Sequence, residues 1–190
     1  MPIRKPLLLL ALCLPLLAGQ NVQAATINFV LQGQAGAGLT PGNEVGSPTS
    51  SGAGGVLTGI SYDTGSSLLS IDVGWGSGNG FSDLTGPAIA MHIHGPADFF
   101  SNAGVKYPLD GLSGFDPSAS SGGLNDSVTI AGADVSDLLA GFFYINVHTA
   151  ANPGGEIRGN LTVIPLPAAA YLFISALGGL VVAKRKQLKG

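Results

Sequence analysis

The sequence predicts an all-β body of about seven to eight short strands, a Greek-key or immunoglobulin-like β-sandwich or a partly closed barrel, plus a C-terminal transmembrane helix. Three observations carry that reading. Apolar and polar residues alternate with a period of two in several short runs, while helical periodicity is almost absent. Thirty glycines and 12 prolines, with only 10% charged residues, exclude coiled coils and long helical bundles. A length of 190 residues leaves room for one domain flanked by processing segments.

The N-terminal segment, 1–24, reads as a signal peptide. Arg4 and Lys5 precede an apolar run over 7–18, and Val22-Gln23-Ala24 supplies a small-residue cleavage pattern. That run is too short to cross a hydrocarbon core of about 30 Å, and Pro15 interrupts it. The single cysteine, Cys13, falls inside it, and Leu12 stands where a lipoprotein signal needs a small residue. After processing the domain has no thiol, so packing and strand hydrogen bonds must hold it.

The β domain spans 25–163. Ile27, Phe29 and Leu31 share one face of a first strand, and Leu69, Ile71, Val73 and Trp75 repeat the pattern. Ile89, Met91 and Ile93 share a face, as do Phe143, Ile145 and Val147. The last strand turns Ile157, Leu161 and Val163 inward, with Glu156, Arg158, Asn160 and Thr162 on the other side. Further strands are expected at 56–62, 105–109 and 127–130, and loops at 33–55 and 111–123. One helical turn is expected at 134–140, with Asp134 as N-cap, Val135, Leu138 and Leu139 inward, and Gly141 as the stop. The remaining segment, 164–190, carries 20 largely apolar residues from Ile164 to Ala183, followed by Lys184-Arg185-Lys186. Its length suffices to span a bilayer, and the basic cluster marks the cytoplasmic side.

Charge narrows the function. Six of eight basic residues lie at the termini, so Lys106 and Arg158 stand alone against all eleven acids between Thr26 and Val163. Such a domain repels phosphate backbones, which excludes nucleic-acid binding. Nucleophile elbows, phosphate loops, dinucleotide fingerprints and His-Glu-x-x-His helices are all missing, which favours a binding or structural module over an enzyme.

The three histidines concentrate what chemistry there is. His92 and His94 are two apart on one strand, so both project from one face with roots about 7 Å apart. His148 shares a face with Tyr144 and Asn146; if the two strands are neighbours, three imidazoles can hold zinc or copper. The alternative is that these rings hydrogen-bond backbone carbonyls and carboxylates and so fix the adjoining loops. A second constellation, Pro153-Gly154-Gly155-Glu156-Ile157-Arg158-Gly159, is a tight turn entering the last strand, in which Arg158 is expected to meet a carboxylate, as a structural pair or an anion clamp. Asp63, Asp72, Asp83, Asp98, Asp110, Asp116 and Asp126 offer oxygen donors suited to calcium but lack its regular loop spacing. Polysaccharide adhesion would need Trp75, Phe81, Phe99, Phe100 and Tyr107 exposed at loop tips.

Two resemblances follow from these motifs. Met91-His92-Ile93-His94-Gly95-Pro96-Ala97, then Gly141-Phe142-Phe143-Tyr144-Ile145-Asn146-Val147-His148-Thr149, then Pro153 through Gly159, in that order, resemble the CHRD domain. His92, His94, Gly95, Asn146, His148, Gly155, Glu156, Arg158 and Gly159 are the matching motif positions. Asn43-Glu44-Val45 with Pro48 resembles the family's early Glu-Val-Pro segment, except that Gly46 and Ser47 precede the proline. The resemblance implies an all-β extracellular module. The paired histidines also bear a faint likeness to Cu/Zn superoxide dismutase, whose full ligand set is not visible here. At the other end Ile164-Pro165-Leu166-Pro167-Ala168, the apolar span and the basic tail resemble the PEP-CTERM sorting signal in its Val-Pro-Leu-Pro-Ala form, with Ile164 in place of valine. That resemblance implies an exosortase-type sorting protease as partner and an inner-membrane-anchored precursor. Transfer to the cell surface or an exopolysaccharide-containing matrix would follow, where polysaccharide or other surface proteins become available partners.

Overall fold

The protein was analysed as a computed structural model that describes residues 24–46, 48–117 and 120–165. The expected signal peptide up to Gln23 and most of the C-terminal sorting segment, including Leu166, Pro167, Ala168 and the Lys184-Arg185-Lys186 cluster, lie outside the described residues. Among the described residues no helix is long and apolar enough to cross a membrane.

Ten antiparallel strands form one strongly curled sheet, a half-barrel, in the order β6-β5-β9-β10-β1-β3-β4-β8-β7, with β2 paired to β1. They are β1 (Thr26–Gly33), β2 (Gly36–Ala37), β3 (Gly54–Asp63), β4 (Leu68–Trp75), β5 (Ala88–His94), β6 (Val105–Pro108), β7 (Phe115–Asp116), β8 (Gly122–Thr129), β9 (Tyr144–Thr149) and β10 (Ile157–Val163). The strands are continuous in a single sheet rather than divided between two stacked ones. Of the two expected architectures, the partly closed barrel is therefore the one present. Two of the ten strands, β2 and β7, are only two residues long, and both lie inside the stretches expected to be loops.

Curling brings the inward faces together as one core. Phe29 and Leu31, Ile60 and Tyr62, Leu69, Ile71, Val73 and Trp75, Met91 and Ile93, Ile145 and Val147, and Ile157 and Leu161 form a single buried cluster. All but Ile60 and Tyr62, on a strand for which no face is assigned from sequence, are residues whose period-two spacing predicts inward orientation. Trp75 is fully buried, which removes it from any adhesive surface.

Three expected details differ. Ile89 is exposed, because the β5–β9 register shifts between Ala88 and Ala90 and leaves it as the extra residue; Ala88 takes the buried position. Around 132–139 a 3-10 turn precedes α1 (Val135–Leu139), and Asp134 makes no capping bond. Its carboxylate instead accepts bonds from Lys106 Nζ (2.8 Å) and Tyr107 OH (2.7 Å) on β6. Leu138 points inward as expected, whereas Leu139 is exposed.

The fourth difference shapes the functional site. The outer face of β10 should be solvated, yet Glu156, Arg158 and Asn160 are fully buried. Two loops cover it. Residues 39–44 lie alongside the strand, with Thr40 and Arg158 exchanging both backbone bonds at 3.1 Å. The 95–104 loop is held by Ala97 N donating to Phe142 O and by Gly95 N donating to Gly104 O. Asn43, itself buried, folds the first loop: Oδ1 accepts from Ala35 N at 2.8 Å, and Nδ2 donates to Gly36 O and Gly38 O at 3.2 Å. Replacing Asn43 by Ala leaves those groups without their partner in a confined site. A loss of about 1–3 kcal/mol in urea unfolding is expected, and an unchanged midpoint would contradict this role.

Candidate metal centre

β5 lies beside β9, so the strands carrying the histidines are neighbours. In their register Ala90 faces His148, His92 faces Asn146 and His94 faces Tyr144. All these side chains project outward, opposite Met91, Ile93, Ile145 and Val147, and the loops make that outer face a polar interior. One ring nitrogen from each of His92, His94 and His148 lies within 4.8 Å of the others. Among the described residues this is the cluster of three or more metal-ligating side chains that forms.

Hydrogen bonds dictate which nitrogens are available. His94 Nδ1 lies 2.9 Å from Ala103 O, and His148 Nδ1 lies 3.0 Å from Pro153 O. A carbonyl only accepts, so both Nδ1 atoms carry the proton and both Nε2 atoms, in neutral rings, present lone pairs. Burial lowers the pKa of both rings. It outweighs the carbonyl bonds, and charge on neighbouring imidazoles pushes the same way, so neutral rings are favoured. His94 Nε2 is buried with no hydrogen-bond partner. His148 Nε2 lies 3.1 Å from His92 Nδ1, which donates to it in the metal-free pocket, and 3.0 Å from Asn146 Oδ1, an acceptor with which an unprotonated Nε2 makes no hydrogen bond. The other nitrogen of His92 is 3.6 Å from the Asp110 carboxylate.

Lone pairs therefore converge from His94 Nε2, His148 Nε2 and Asn146 Oδ1, with His92 Nδ1 able to join them. Zn–N bonds of about 2.0–2.1 Å in a tetrahedron separate ligand nitrogens by about 3.3 Å, so the His92–His148 pair is already at ligand spacing. Asn146 offers an oxygen on the same side, and Asp110 can orient His92 from behind. The residues fit a borderline metal such as zinc or copper. The carboxylates do not gather for calcium. Asp63 accepts from Ser66 and Gly65, Asp98 from Phe100 and Ser101, and Asp126 from Ser127, Gly114 and Ser113, each within its own turn or nearby loop.

Tyr144, on the strand between β5 and β10, links the centre to Arg158. The His94 ring stacks on it (centroids 5.0 Å apart, 5° between planes), and Arg158 Cζ lies 3.5 Å from the Tyr144 ring centroid. Arg158 meets no carboxylate within ion-pair distance among the described residues, contrary to the expectation for it. Its guanidinium donates to Asp98 O (2.7 Å), Ser101 O (3.0 Å), Asn102 Oδ1 (3.1 Å) and Asn160 Oδ1 (3.3 Å). Arg158 thus ties down the very loop whose Ala103 carbonyl sets the tautomer of His94.

Glu156 plays a similar part at the other end. Its carboxylate accepts from Ser50 Oγ (2.5 Å), Thr85 N (2.8 Å), Thr85 Oγ1 (2.6 Å), Thr149 Oγ1 (2.5 Å) and Asn152 Nδ2 (3.1 Å). Burial alone would raise its pKa; the donors from Ser50, Thr149 and Thr85 outweigh burial and leave it low. The family-motif glycines make room: a Cβ on Gly95 would strike Phe143 at 2.3 Å, and one on Gly159 would meet Gly38 O at 2.7 Å. Gly155, at φ +126°, allows Glu44 Oε2 to approach to 2.5 Å of where its Cβ would lie.

Two residues beside the centre carry no sign of it in periodicity or spacing. Asp110 follows β6 in a turn, and its approach to His92 depends on the β5–β6 pairing. Glu44 sits in a Gly/Pro-rich loop, yet it is only 5% exposed and its Oε2 has no hydrogen-bond partner. Burial raises its pKa to about 7, against the opposing pull of Arg158, the Val45 amide and Asn146. An acid with a raised folded pKa binds extra protons when folded, so stability falls as pH rises from about 4.5 to 7 and stays low above. That shift corresponds to about 3 kcal/mol at most. Metal-free Glu44→Gln should therefore match the wild type in urea unfolding at pH 5 and exceed it at pH 8. Parallel stability profiles for the two proteins would contradict the assignment.

The sequence profile of the CHRD domain matches residues 35–161, a stretch that contains every residue of the centre and both covering loops. No curated protein and no solved structure matches the chain. By that match, over more than half its length, the chain belongs to the CHRD domain family.

Proposed function

We propose that this chain is an exported CHRD module that holds one zinc or copper ion at His92, His94 and His148 and is delivered to the cell surface or extracellular matrix. One observation carries the metal assignment: two backbone carbonyls direct the Nε2 lone pairs of His94 and His148 into a shared polar pocket, where His94 Nε2 has no other partner. His92 completes the set through Nδ1, and Asn146 Oδ1 lies beside it. A bound ion would supply a positive charge that these lone pairs otherwise lack. The chain's own residues orient the rings, and burial keeps those of His94 and His148 neutral. No catalytic step is assigned, and the activity is binding. Copper and zinc both accept imidazole donors.

With one equivalent of Zn(II) or Cu(II), the untagged 25–163 domain should retain stoichiometric metal by elemental analysis, and His94→Ala should retain none while keeping its far-UV dichroism. Metal at 100 times its Kd should stabilise the wild type by about 2.7 kcal/mol and leave the variant unmoved. Affinity should fall as pH drops and protons compete for the nitrogens. A wild-type domain that holds no metal and gains no stability from it would contradict the proposal.

The delivery half rests on sequence. Pro165-Leu166-Pro167-Ala168, the apolar span and the Lys184-Arg185-Lys186 tail support recognition by an exosortase-type protease, after anchoring in the inner membrane. Surface or matrix fractions should contain a form cut near the Pro-Leu-Pro motif and lacking the basic tail. Uncut protein confined to the inner membrane would count against sorting.

A further inference from the structure

At the end of the half-barrel from which the chain leaves toward the apolar span, a largely apolar groove of about 250 Å³ is lined by Phe99, Phe100, Ala140, Gly141, Phe142 and Thr162, with the exposed Asp98 at its rim. Phe100 is 70% exposed and Phe142 43%. Exposed Leu139 adjoins them on α1, and Ile164, 45% exposed, follows two residues after Thr162 on the same strand direction. The three segments are fastened to one another: Ala97 N donates to Phe142 O, Asn160 Nδ2 donates to Ala97 O and Gly141 O, and Leu161 N donates to Phe143 O. The groove is therefore a fixed feature of the domain end.

The one charged residue of the lining, Asp98, accepts from Ser101 Oγ and Phe100 N, bonds that hold its pKa low and keep it ionised at the rim, and Lys106 on nearby β6 is paired with Asp134. Exposed aromatics beside a polar backbone suit the boundary between headgroups and acyl chains. Position selects that occupant over others. The 20-residue apolar run starts at Ile164, so no linker separates the groove from the point where the chain would enter a bilayer. With each strand residue advancing about 3.3 Å, Thr162 lies within about 7 Å of that entry, whereas the Glu156 corner lies about 20 Å farther back.

We propose that Phe100 and Phe142 insert into the outer surface of the inner membrane in the anchored precursor, seating the domain on the lipid and holding Pro165 at the interface. This rests on the anchor reading given above. The seated orientation turns the loop at 149–155 away from the lipid, leaving the imidazole cluster part-way up the wall.

The absence of cysteine after residue 24 makes the test direct. The full precursor, carrying Cys13→Ser, is reconstituted in phosphatidylethanolamine/phosphatidylglycerol vesicles with single substitutions Phe100→Cys, Phe142→Cys, Leu57→Cys or Ile89→Cys. Each thiol is labelled with a polarity-sensitive fluorophore and exposed to lipid-borne spin-label quenchers. Ile89, near the start of β5, lies at the end opposite the groove and is the distant reference, while Leu57, on β3 two strands beyond β10, reports the wall beside the groove end. Quenching several-fold stronger at 100 and 142 than at 57 and 89 is expected. Equal quenching at all four sites, in precursor that resists alkaline carbonate extraction, overturns the seating and leaves the anchor standing. Extraction of the precursor by carbonate overturns the anchor and the seating with it.

Discussion

Arg158 is a guanidinium enclosed on the outer face of a β-strand, and such a group is tolerated only when its donors are satisfied. Three oxygens of the 98–102 segment, together with Asn160, meet that requirement. The constraint works in both directions. The loop must fold over β10 to supply acceptors, and once folded it presents Ala103 O to His94 and to Tyr144 OH. Remove the buried cation and the carbonyl that sets the His94 tautomer loses its support.

The polar layer has two such latches, and the metal-ligating pocket lies between them. Arg158 holds the 95–104 loop, while Glu156 gathers Ser50, Thr85, Thr149 and Asn152 at the opposite corner. Thr149 directly follows His148, and Pro153, which fixes the His148 tautomer, lies in the turn that Glu156 closes. Asn43 and Glu44 add a third wall, with Gly155 left bare so that the carboxyl can approach. Motifs separated by more than a hundred residues thus meet in one layer. Its polar groups are mutually satisfied except at Thr40 Oγ1, Glu44 Oε2, Thr162 Oγ1 and His94 Nε2, and the last of these faces the other imidazoles. Such a layer is costly to desolvate, and its return is orientation rather than stability.

The inward half of this architecture could be read from the chain. Leu69, Ile71, Val73 and Trp75 alternate so regularly that one face had to be core, and the histidine strands could be placed face by face on the same rule. That β5 pairs with β9 was not readable, because β6, β7 and β8 intervene and antiparallel neighbours far apart in sequence leave no local mark. Alternation also misled. It assigned Glu156, Arg158 and Asn160 to solvent, since a period of two separates faces without saying that a loop covers the second one. The same rule turned Ile89 inward, where a bulge had shifted the phase, and a helical count turned Leu139 inward on a helix too short to keep that face covered. Glu44 stood out only through its resemblance to the family's Glu-Val-Pro segment; its place beside the site was not readable, because it lies in a Gly/Pro-rich loop with no periodicity to place it.

The central claim is that backbone carbonyls hold two imidazoles as Nδ1–H tautomers with their Nε2 atoms turned to a common point. Long-range proton–nitrogen correlation spectra of the metal-free domain at pH 8 report this directly. The account predicts that His94 and His148 both show a protonated Nδ1 and an unprotonated Nε2. An Nε2–H tautomer at both positions, or averaging of the two forms by free rotation, would contradict it.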